Sequence, residues 1–192
     1  MMNVKRYRSS SYSQNGTFVV EFAVISFILA LVMAFCGDLV VRLSTKGKLD
    51  RAAYSAVTVA KERTALFSGV EYHLLESNLR QSEFDDLAMI VKASLSRTMG
   101  HFDEQMFGMT LDVVGYSTAG QLLASVSVAL DGDDGIACEP LDTMSQLATT
   151  LALTSTPSLY RVTLCYKTDN WFGGLMGVDY GVVSSSAVSV GR

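Results

Sequence analysis

One carboxylate lies at the head of the most apolar stretch of this 192-residue chain. The residues Gly16-Thr17-Phe18-Val19-Val20-Glu21-Phe22 join a basic, serine-rich leader to that stretch, and none of residues 22–37 is charged. About 20 apolar residues span the roughly 30 Å hydrocarbon core of a bilayer. A carboxylate in such a span costs about 2.5–3.5 kcal/mol, so it is expected to be functional and to have a partner. If the chain is cut after Gly16, the free amine of Thr17 in a neighbouring copy is that partner.

A simpler interpretation of Glu21 is also open. The residue lies about one turn inside the span, where its side chain can extend to the cytoplasmic headgroups without any further role. The protein is then an uncleaved, signal-anchored binding protein of the periplasm or cell surface. An ordinary secretory signal is disfavoured, because residues 31–37 lack the small-residue pattern at which such signals are cut.

The three cysteines differ in their surroundings. Cys36 lies inside the apolar run and is interpreted as an inert small hydrophobe. Cys138 and Cys165 lie in the remainder of the chain, and we predict that they form a disulfide, which in a loop of this size contributes about 3–4 kcal/mol. Two reduced, buried thiols are the alternative. Neither cysteine has a second cysteine or histidine at ligand spacing, so no metal site is predicted there.

Other chemical motifs are few. The run Asp131-Gly132-Asp133-Asp134-Gly135 resembles the start of a calcium loop, but it lacks the glycine at position six and the glutamate at position twelve. A polar hairpin turn is the favoured interpretation, which leaves Asp131, Asp133 and Asp134 as a weak calcium candidate. The chain has no G-x-S-x-G, H-E-x-x-H or phosphate-binding glycine motif. We therefore predict no cofactor and no enzyme, with a membrane-anchored enzyme of unrecognised site as the third alternative.

Charge restricts the partners and the topology. The formal net charge is −4, and loss of the basic leader makes the product more acidic, which excludes the basic surface that nucleic-acid binding requires. The positive-inside rule alone leaves the topology undecided, because basic residues flank the span on both sides. The rule weakens for long exported domains, and a disulfide favours an oxidising compartment, so we expect a cytoplasmic leader and a periplasmic C-terminal domain. The flanking basic residues are Lys5, Arg6 and Arg8 before the span and Arg42, Lys46, Lys48 and Arg51 after it.

Two helices are predicted after the leader. Apolar residues recur at helical spacing beyond the span, so the first helix is expected to continue as an amphipathic one, loosened at Gly37 and Gly47. A second helix is predicted over 71–99, with Ser82 and Asp85 as a capping pair at which it restarts. The apolar stripe of the first helix comprises Leu49, Ala52, Ala53, Ala56, Val57, Ala60, Thr64 and Phe67.

The pattern after Gly100 is that of short strands. Alternating runs predict strands over 109–116, 122–130, 160–166 and 182–190. The fold class is therefore α+β, with a small antiparallel sheet after the helices. The glycines between 173 and 181 predict a flexible loop. Trp171 and Phe172 before it are interpreted as buried against the sheet, with an exposed contact for a neighbouring subunit as the alternative.

Three stretches together resemble a known family. They are Gly16-Thr17-Phe18-Val19-Val20-Glu21-Phe22-Ala23, the pair Cys138 and Cys165, and residues 159–166 with Asn170-Trp171-Phe172-Gly173. In these stretches the chain resembles the type IV pilin superfamily, and most closely the TadE/TadF pseudopilins of tight-adherence (Flp) pili, TadF more than TadE. A pseudopilin of a type II secretion system is the alternative within the superfamily. The resemblance covers the N-terminal third and the C-terminal quarter.

The resemblance implies a function and a set of sites. A prepilin peptidase would cut between Gly16 and Thr17 on the cytoplasmic side, and Glu21 would act in assembly. Residue 17 is Thr where many pilins have Phe or Met. The implied domains are a leader at 1–16, a transmembrane helix at 17–41 and an exported, pilin-like α+β domain at 42–192. The protein would be a minor pilin of the bacterial inner membrane. Its partners would be the peptidase, other pilin or pseudopilin subunits and the Tad assembly machinery.

Overall fold

The computed structural model describes residues 15–63, 77–115, 125–130, 158–177 and 181–191, and within 136–147 it describes 136, 138, 140, 142–144, 146 and 147. The chain divides into two compact units, Met1–Gly37 and Asp38–Arg192. We call the second unit the head. The boundary lies inside the first helix, at the point where the sequence changes from apolar to charged.

The described part of the first unit is helical. Helix α1 runs over Asn15–Arg63. Its large apolar side chains are exposed from Phe18, at 72%, through Phe27, at 66%, to Phe35, at 43%, whereas Ala34 is half-buried. Among the described residues, the helix that contains Phe18 is the single one long and apolar enough to cross a membrane, judged by length and composition. A helix that is apolar all round is typical of a membrane span.

The part of α1 that belongs to the head is amphipathic, as predicted. Leu49, Ala53, Ala56 and Val57 are buried in the main core. Helix α1 continues without a break through Gly37 and Gly47, so the expected loosening at these glycines is not seen. The two last members of the predicted stripe, Thr64 and Phe67, lie outside the described residues.

Helix α2 runs over Ser77–Thr98 and packs on the same core. The predicted restart at Ser82 is wrong, because the helix is continuous from Ser77. The apolar stripe of α2 begins at Phe84 and continues to Leu95. Burial of this stripe as one continuous helix face stabilises the protein more than the single capping hydrogen bond that a break at Ser82 would provide. A short 3₁₀ turn, Glu104–Met106, follows, capped by Asp103, whose side chain accepts a hydrogen bond from the backbone N–H of Gln105.

Four antiparallel strands confirm the predicted α+β class. They are β1 (Phe107–Val114), β2 (Val126–Leu130), β3 (Leu159–Lys167) and β4 (Val182–Val190), in the order β2-β1-β3-β4. One face of the sheet packs on the two helices through Phe107, Met109, Leu111, Val113, Tyr160, Val162, Leu164 and Tyr166. Every residue of β1 is buried, so the opposite face, which we call the back face, is covered as well.

A short helix replaces the predicted flexible loop before the last strand. Helix α3 runs over Trp171–Met176. The side chain of Asn170 caps its start by accepting from the N–H of Gly173, and Gly177 ends it in the left-handed conformation, with φ of 69°. These two caps satisfy backbone groups that a single helical turn leaves unpaired. Trp171 is 74% exposed, so its predicted burial against the sheet is wrong, and Phe172 is half-buried.

Candidate functional site

The predicted cleavage site and the predicted assembly carboxylate lie in the first two turns of α1. Gly16 and Thr17 belong to the first turn of the helix, which begins at Asn15. Glu21 is exposed, and its carboxylate has no hydrogen-bond or ion-pair partner among the described residues. It is also the only charged residue in the segment 18–37. The apolar segment of α1 therefore carries one carboxylate that is unpaired among the described residues.

A row of four charged residues lies on the part of α1 that belongs to the head. Asp38, Arg42, Lys46 and Asp50 recur every four residues, and this spacing places them on one face of the helix. We call them the polar row. Sequence reasoning treated Arg42 and Lys46 only as topology signals and did not recognise the row, although its spacing is visible in the sequence.

The first half of the polar row binds α3. The backbone N–H of Phe172 donates to Oδ2 of Asp38 at 2.7 Å, and Nη2 of Arg42 donates to Oδ1 of Asn170, also at 2.7 Å. The same Asn170 oxygen accepts the N–H of Gly173 at 3.1 Å. Asp38 thus satisfies a backbone donor in the first turn of α3, where helices leave such donors unpaired and favour a negative charge.

The second half of the polar row binds β4. Nζ of Lys46 donates to the carbonyl oxygen of Ser184 at 3.1 Å, and the hydroxyl of Ser185 donates to Oδ1 of Asp50. Lys46 and Asp50 also form an ion pair at 3.7 Å. Exposed pairs of this kind contribute at most about 1 kcal/mol each. Their value is therefore geometric, because they fix how α1 is rotated and shifted relative to the sheet.

The back face of the sheet holds a buried ion pair that sequence reasoning missed. Asp112 of β1 and Arg161 of β3 are directly opposite each other in the strand register. Nε and Nη2 of Arg161 donate to Oδ2 of Asp112 at 2.9 and 2.7 Å, and both residues are 5% exposed. Nη1 of Arg161 donates to the carbonyl oxygen of Asp142 at 2.5 Å. The sequence contained a signal for this pair, because each of the two strands has one charged residue in an otherwise uncharged interior. A buried charge needs a partner, so two such residues of opposite sign could have been predicted to pair.

The predicted disulfide lies on the same face. Cys138 and Cys165 are joined, and the hydroxyl of Thr110 donates to the carbonyl oxygen of Cys138 at 2.7 Å. A Cβ on Gly108 would lie 3.1 Å from the carbonyl oxygen of Ile136, so a glycine is needed where this segment crosses the strand. We call residues 136–142 the strap. The disulfide and Arg161 hold the described residues of the strap against the back face.

The other predicted candidates have less support. Cys36 is exposed and is not part of the disulfide. Asp131, Asp133 and Asp134 lie outside the described residues, so the calcium candidate stays a prediction. In the part of the chain that the structure describes, no group of three or more acidic, histidine or cysteine side chains is arranged to hold a metal ion.

These features define a class of protein. An apolar helix at the N-terminal end carries a head that is closed by a disulfide, and this combination fits a membrane-anchored component. The model of the family described as "Putative tight adherence pilin protein F" (TadF) matches residues 10–192, nearly the whole chain. The chain therefore belongs to the TadF family, as its resemblance predicted, and the match includes the middle of the chain, where no motif was found. No curated protein and no solved structure matched the chain.

The family assignment limits the function. It points to a structural protein and to a pilin-like subunit of a tight-adherence pilus that contacts other pilus subunits. Together with the apolar helix, it fits a membrane-anchored pilus component.

Removing the disulfide tests the role of the strap. In the double variant Cys138→Ser/Cys165→Ser, we expect the free energy of unfolding of the head to fall by about 3 kcal/mol, because the unfolded chain is no longer closed into a loop. Chemical denaturation of the detergent-solubilised full chain, followed by circular dichroism, measures the change. The control Cys36→Ser should leave the midpoint unchanged. A midpoint that is the same in the double variant and the wild type would show that the disulfide does not stabilise the head.

Removing one partner of the buried pair tests its importance. The variant Asp112→Ala leaves the guanidinium of Arg161 buried without its counter-charge, so we expect a loss of about 3–5 kcal/mol in the same assay. The control Glu104→Ala removes the exposed pair with Lys92 and should cost less than about 1 kcal/mol. The double variant Asp112→Leu/Arg161→Met should recover much of the loss. Equal effects of Asp112→Ala and Glu104→Ala would contradict this interpretation.

Proposed function

We propose that this protein is a minor pilin, a membrane-anchored subunit needed for assembly of a tight-adherence (Flp, type IVb) pilus, and that a prepilin peptidase processes it after Gly16. The observation that carries the proposal is the exposed carboxylate of Glu21 in the otherwise uncharged segment 18–37 of α1, whose large apolar side chains are exposed. Membership of the TadF family supports it.

The exposure of α1 requires a cover. Burial of apolar surface is favourable by about 25 cal/mol per Å², so side chains exposed all round residues 18–37 are unstable in water. Lipid covers them while the subunit waits in the membrane, and neighbouring apolar helices cover them in an assembled filament. One surface thus serves both states, which is what a subunit that moves from membrane to pilus requires.

Cleavage would create the partner that Glu21 lacks. Hydrolysis of the Gly16–Thr17 bond consumes one water, leaves the carboxylate on Gly16 and frees the amine of Thr17. Side chains on a helix lean towards its N-terminus, so the carboxylate of Glu21 is directed towards the end of the helix where the amine forms. An isolated charge of either sign is costly in an apolar environment. Pairing of Glu21 with the amine of an adjacent copy removes both costs and sets the axial register between subunits.

The proposed topology places the leader in the cytoplasm and the head in the periplasm, with the span anchored in the inner membrane. Arg42 and Lys46 count against this orientation by the positive-inside rule. Their hydrogen bonds to Asn170 and Ser184 give these two charges a role in holding the head, which offers a reason for their position. The proposed domains are a leader at 1–16, a membrane helix at 17–41 and an exported domain at 42–192. Asp38, which falls inside the proposed membrane helix, is hydrogen-bonded to the backbone N–H of Phe172 in the head.

The proposed partners follow from these steps. The prepilin peptidase acts on the leader junction, other pilin or pseudopilin subunits contact α1, and the inner-membrane Tad machinery extracts the subunit. The head supplies contacts that prime, cap or regulate the pilus.

An uncleaved, signal-anchored binding protein of the periplasm or cell surface is the second candidate. One observation favours it: the bond to be cut lies inside the first turn of α1 and not in extended backbone. The first turn of a helix frays at little cost, and glycine lowers that cost further, so this observation does not exclude cleavage.

Processing separates the two candidates. We expect the intact mass of the protein from its native membrane to correspond to a chain that begins at Thr17, and we expect the bulky substitution Gly16→Leu to abolish that form. The control Gly37→Leu introduces the same side chain at a helical position with open space around it, and it should be processed normally. A chain that still begins at Met1 or Met2 in cells with an active prepilin peptidase would favour the anchored binding protein.

Neutralising the carboxylate tests assembly directly. The variant Glu21→Gln removes the charge at nearly constant size, so the amine of a neighbouring Thr17 loses its partner. We expect more than about a tenfold loss of piliation when it complements a deletion strain, since a single unpaired charge costs about 2.5–3.5 kcal/mol. The head should unfold at the wild-type midpoint. The control Glu104→Gln, on an exposed carboxylate of the head, should restore piliation fully. Wild-type piliation by Glu21→Gln would show that Glu21 only extends to the headgroups.

A further inference from the structure

Helix α3 lies at the point where α1 is expected to leave the membrane. The segment 18–37 contains about 20 residues, which at 1.5 Å per residue match the roughly 30 Å core of a bilayer. The next residue, Asp38, accepts the hydrogen bond from the N–H of Phe172 in the first turn of α3. That contact lies within the head, and it places α3 beside the first charged residue after the span.

Three exposed apolar residues are close in sequence to the two partners of this contact, and we call them the collar. Trp171 is 74% exposed at the start of α3, and Val40 and Leu43 on α1 are 66% and 68% exposed. An indole exposed to water lacks the favourable free energy of burying its apolar ring. At a membrane surface the ring is buried and the N–H still forms a hydrogen bond. For this reason tryptophan is enriched where membrane proteins cross the interface between lipid and water.

The charge around the collar suits a bilayer surface. Basic residues outnumber acidic ones in the first three turns that follow the span, which contain Arg42, Lys46 and Lys48 but only Asp38 as an acidic residue. Each basic residue near an anionic bilayer surface contributes about 1 kcal/mol of attraction. The rest of the chain is acidic enough to give a net charge of −4, so this stretch is the part of the head that anionic headgroups favour.

We propose that α3 is an interfacial anchor: Trp171 inserts into the headgroup layer of the leaflet at which α1 leaves the membrane. Through Asp38, Arg42 and Asn170 this anchor would fix the orientation of the head on the bilayer before assembly. The proposal rests on α1 spanning a membrane, as the proposed function does, but it needs neither cleavage at Gly16 nor a role for Glu21.

The chain's single tryptophan makes the test direct. The full chain is reconstituted into vesicles of phosphatidylethanolamine and phosphatidylglycerol, and its tryptophan emission is recorded with lipids brominated at different depths and with acrylamide. We expect emission at short wavelength, the strongest quenching by bromines nearest the headgroups, and at least about a twofold lower acrylamide quenching constant than in the control.

The matched control moves the tryptophan along α1. The variant Trp171→Phe/Tyr54→Trp has its single indole at a position that is 69% exposed and about 24 Å further along the helix from Asp38. Its emission should lie at long wavelength and should not respond to brominated lipid. Flotation of both proteins with the vesicles shows that α1 is inserted.

Three outcomes would overturn the inference. Quenching of Trp171 by acrylamide as strong as in the control would show that the indole lies in water. Short-wavelength emission that brominated lipid does not quench, and that depends on protein density, would show that a second copy of the chain covers it. Failure to float would contradict the membrane anchor, and with it the proposed function as well, whereas the first two outcomes contradict only the interfacial anchor.

Discussion

An apolar helix that is exposed on every side is the constraint on which the rest of this molecule depends. The large apolar side chains of residues 18–35 are exposed in the described part of the chain, and the hydrophobic effect favours their cover by lipid or by other helices. The head, Asp38–Arg192, must therefore be stabilised by its own contacts. It meets this demand with the hydrogen bonds of the polar row and with the apolar residues of α1 from Leu49 onward.

Two kinds of contact divide that task. The apolar residues Leu49, Ala53 and Val57 supply the stabilisation, because they are fully buried against the sheet and α2. The polar row determines how α1 is rotated relative to the sheet, because its hydrogen bonds would break if α1 turned about its axis. On the other side of the sheet, the described residues of the strap are held to the back face by the disulfide and by the hydrogen bond from Arg161 to Asp142. The disulfide suits a protein that folds outside the reducing cytoplasm.

The sequence allowed most of the fold to be predicted, for reasons that particular residues make clear. The four strands and the stripe from Leu49 to Val57 follow from spacings of two and about 3.6 residues, which are local signals. Asp112 and Arg161 are 49 positions apart, and Asp38 and Phe172 are 134 apart, so only the tertiary fold brings them together. Helix α3 was missed because its glycines predict a loop, whereas Asn170 and Gly177 cap a single turn from both ends.

The two acidic residues that flank the apolar segment show how one side-chain chemistry serves two purposes. Asp38 has a partner within its own chain, the N–H of Phe172, so its charge is satisfied when the head folds. Glu21 has no such partner among the described residues. A carboxylate whose partner lies in the same chain stabilises a fold, whereas one whose partner must come from another chain favours association. On this argument Asp38 belongs to the fold of the head, whereas the pairing that we propose for Glu21 depends on another subunit.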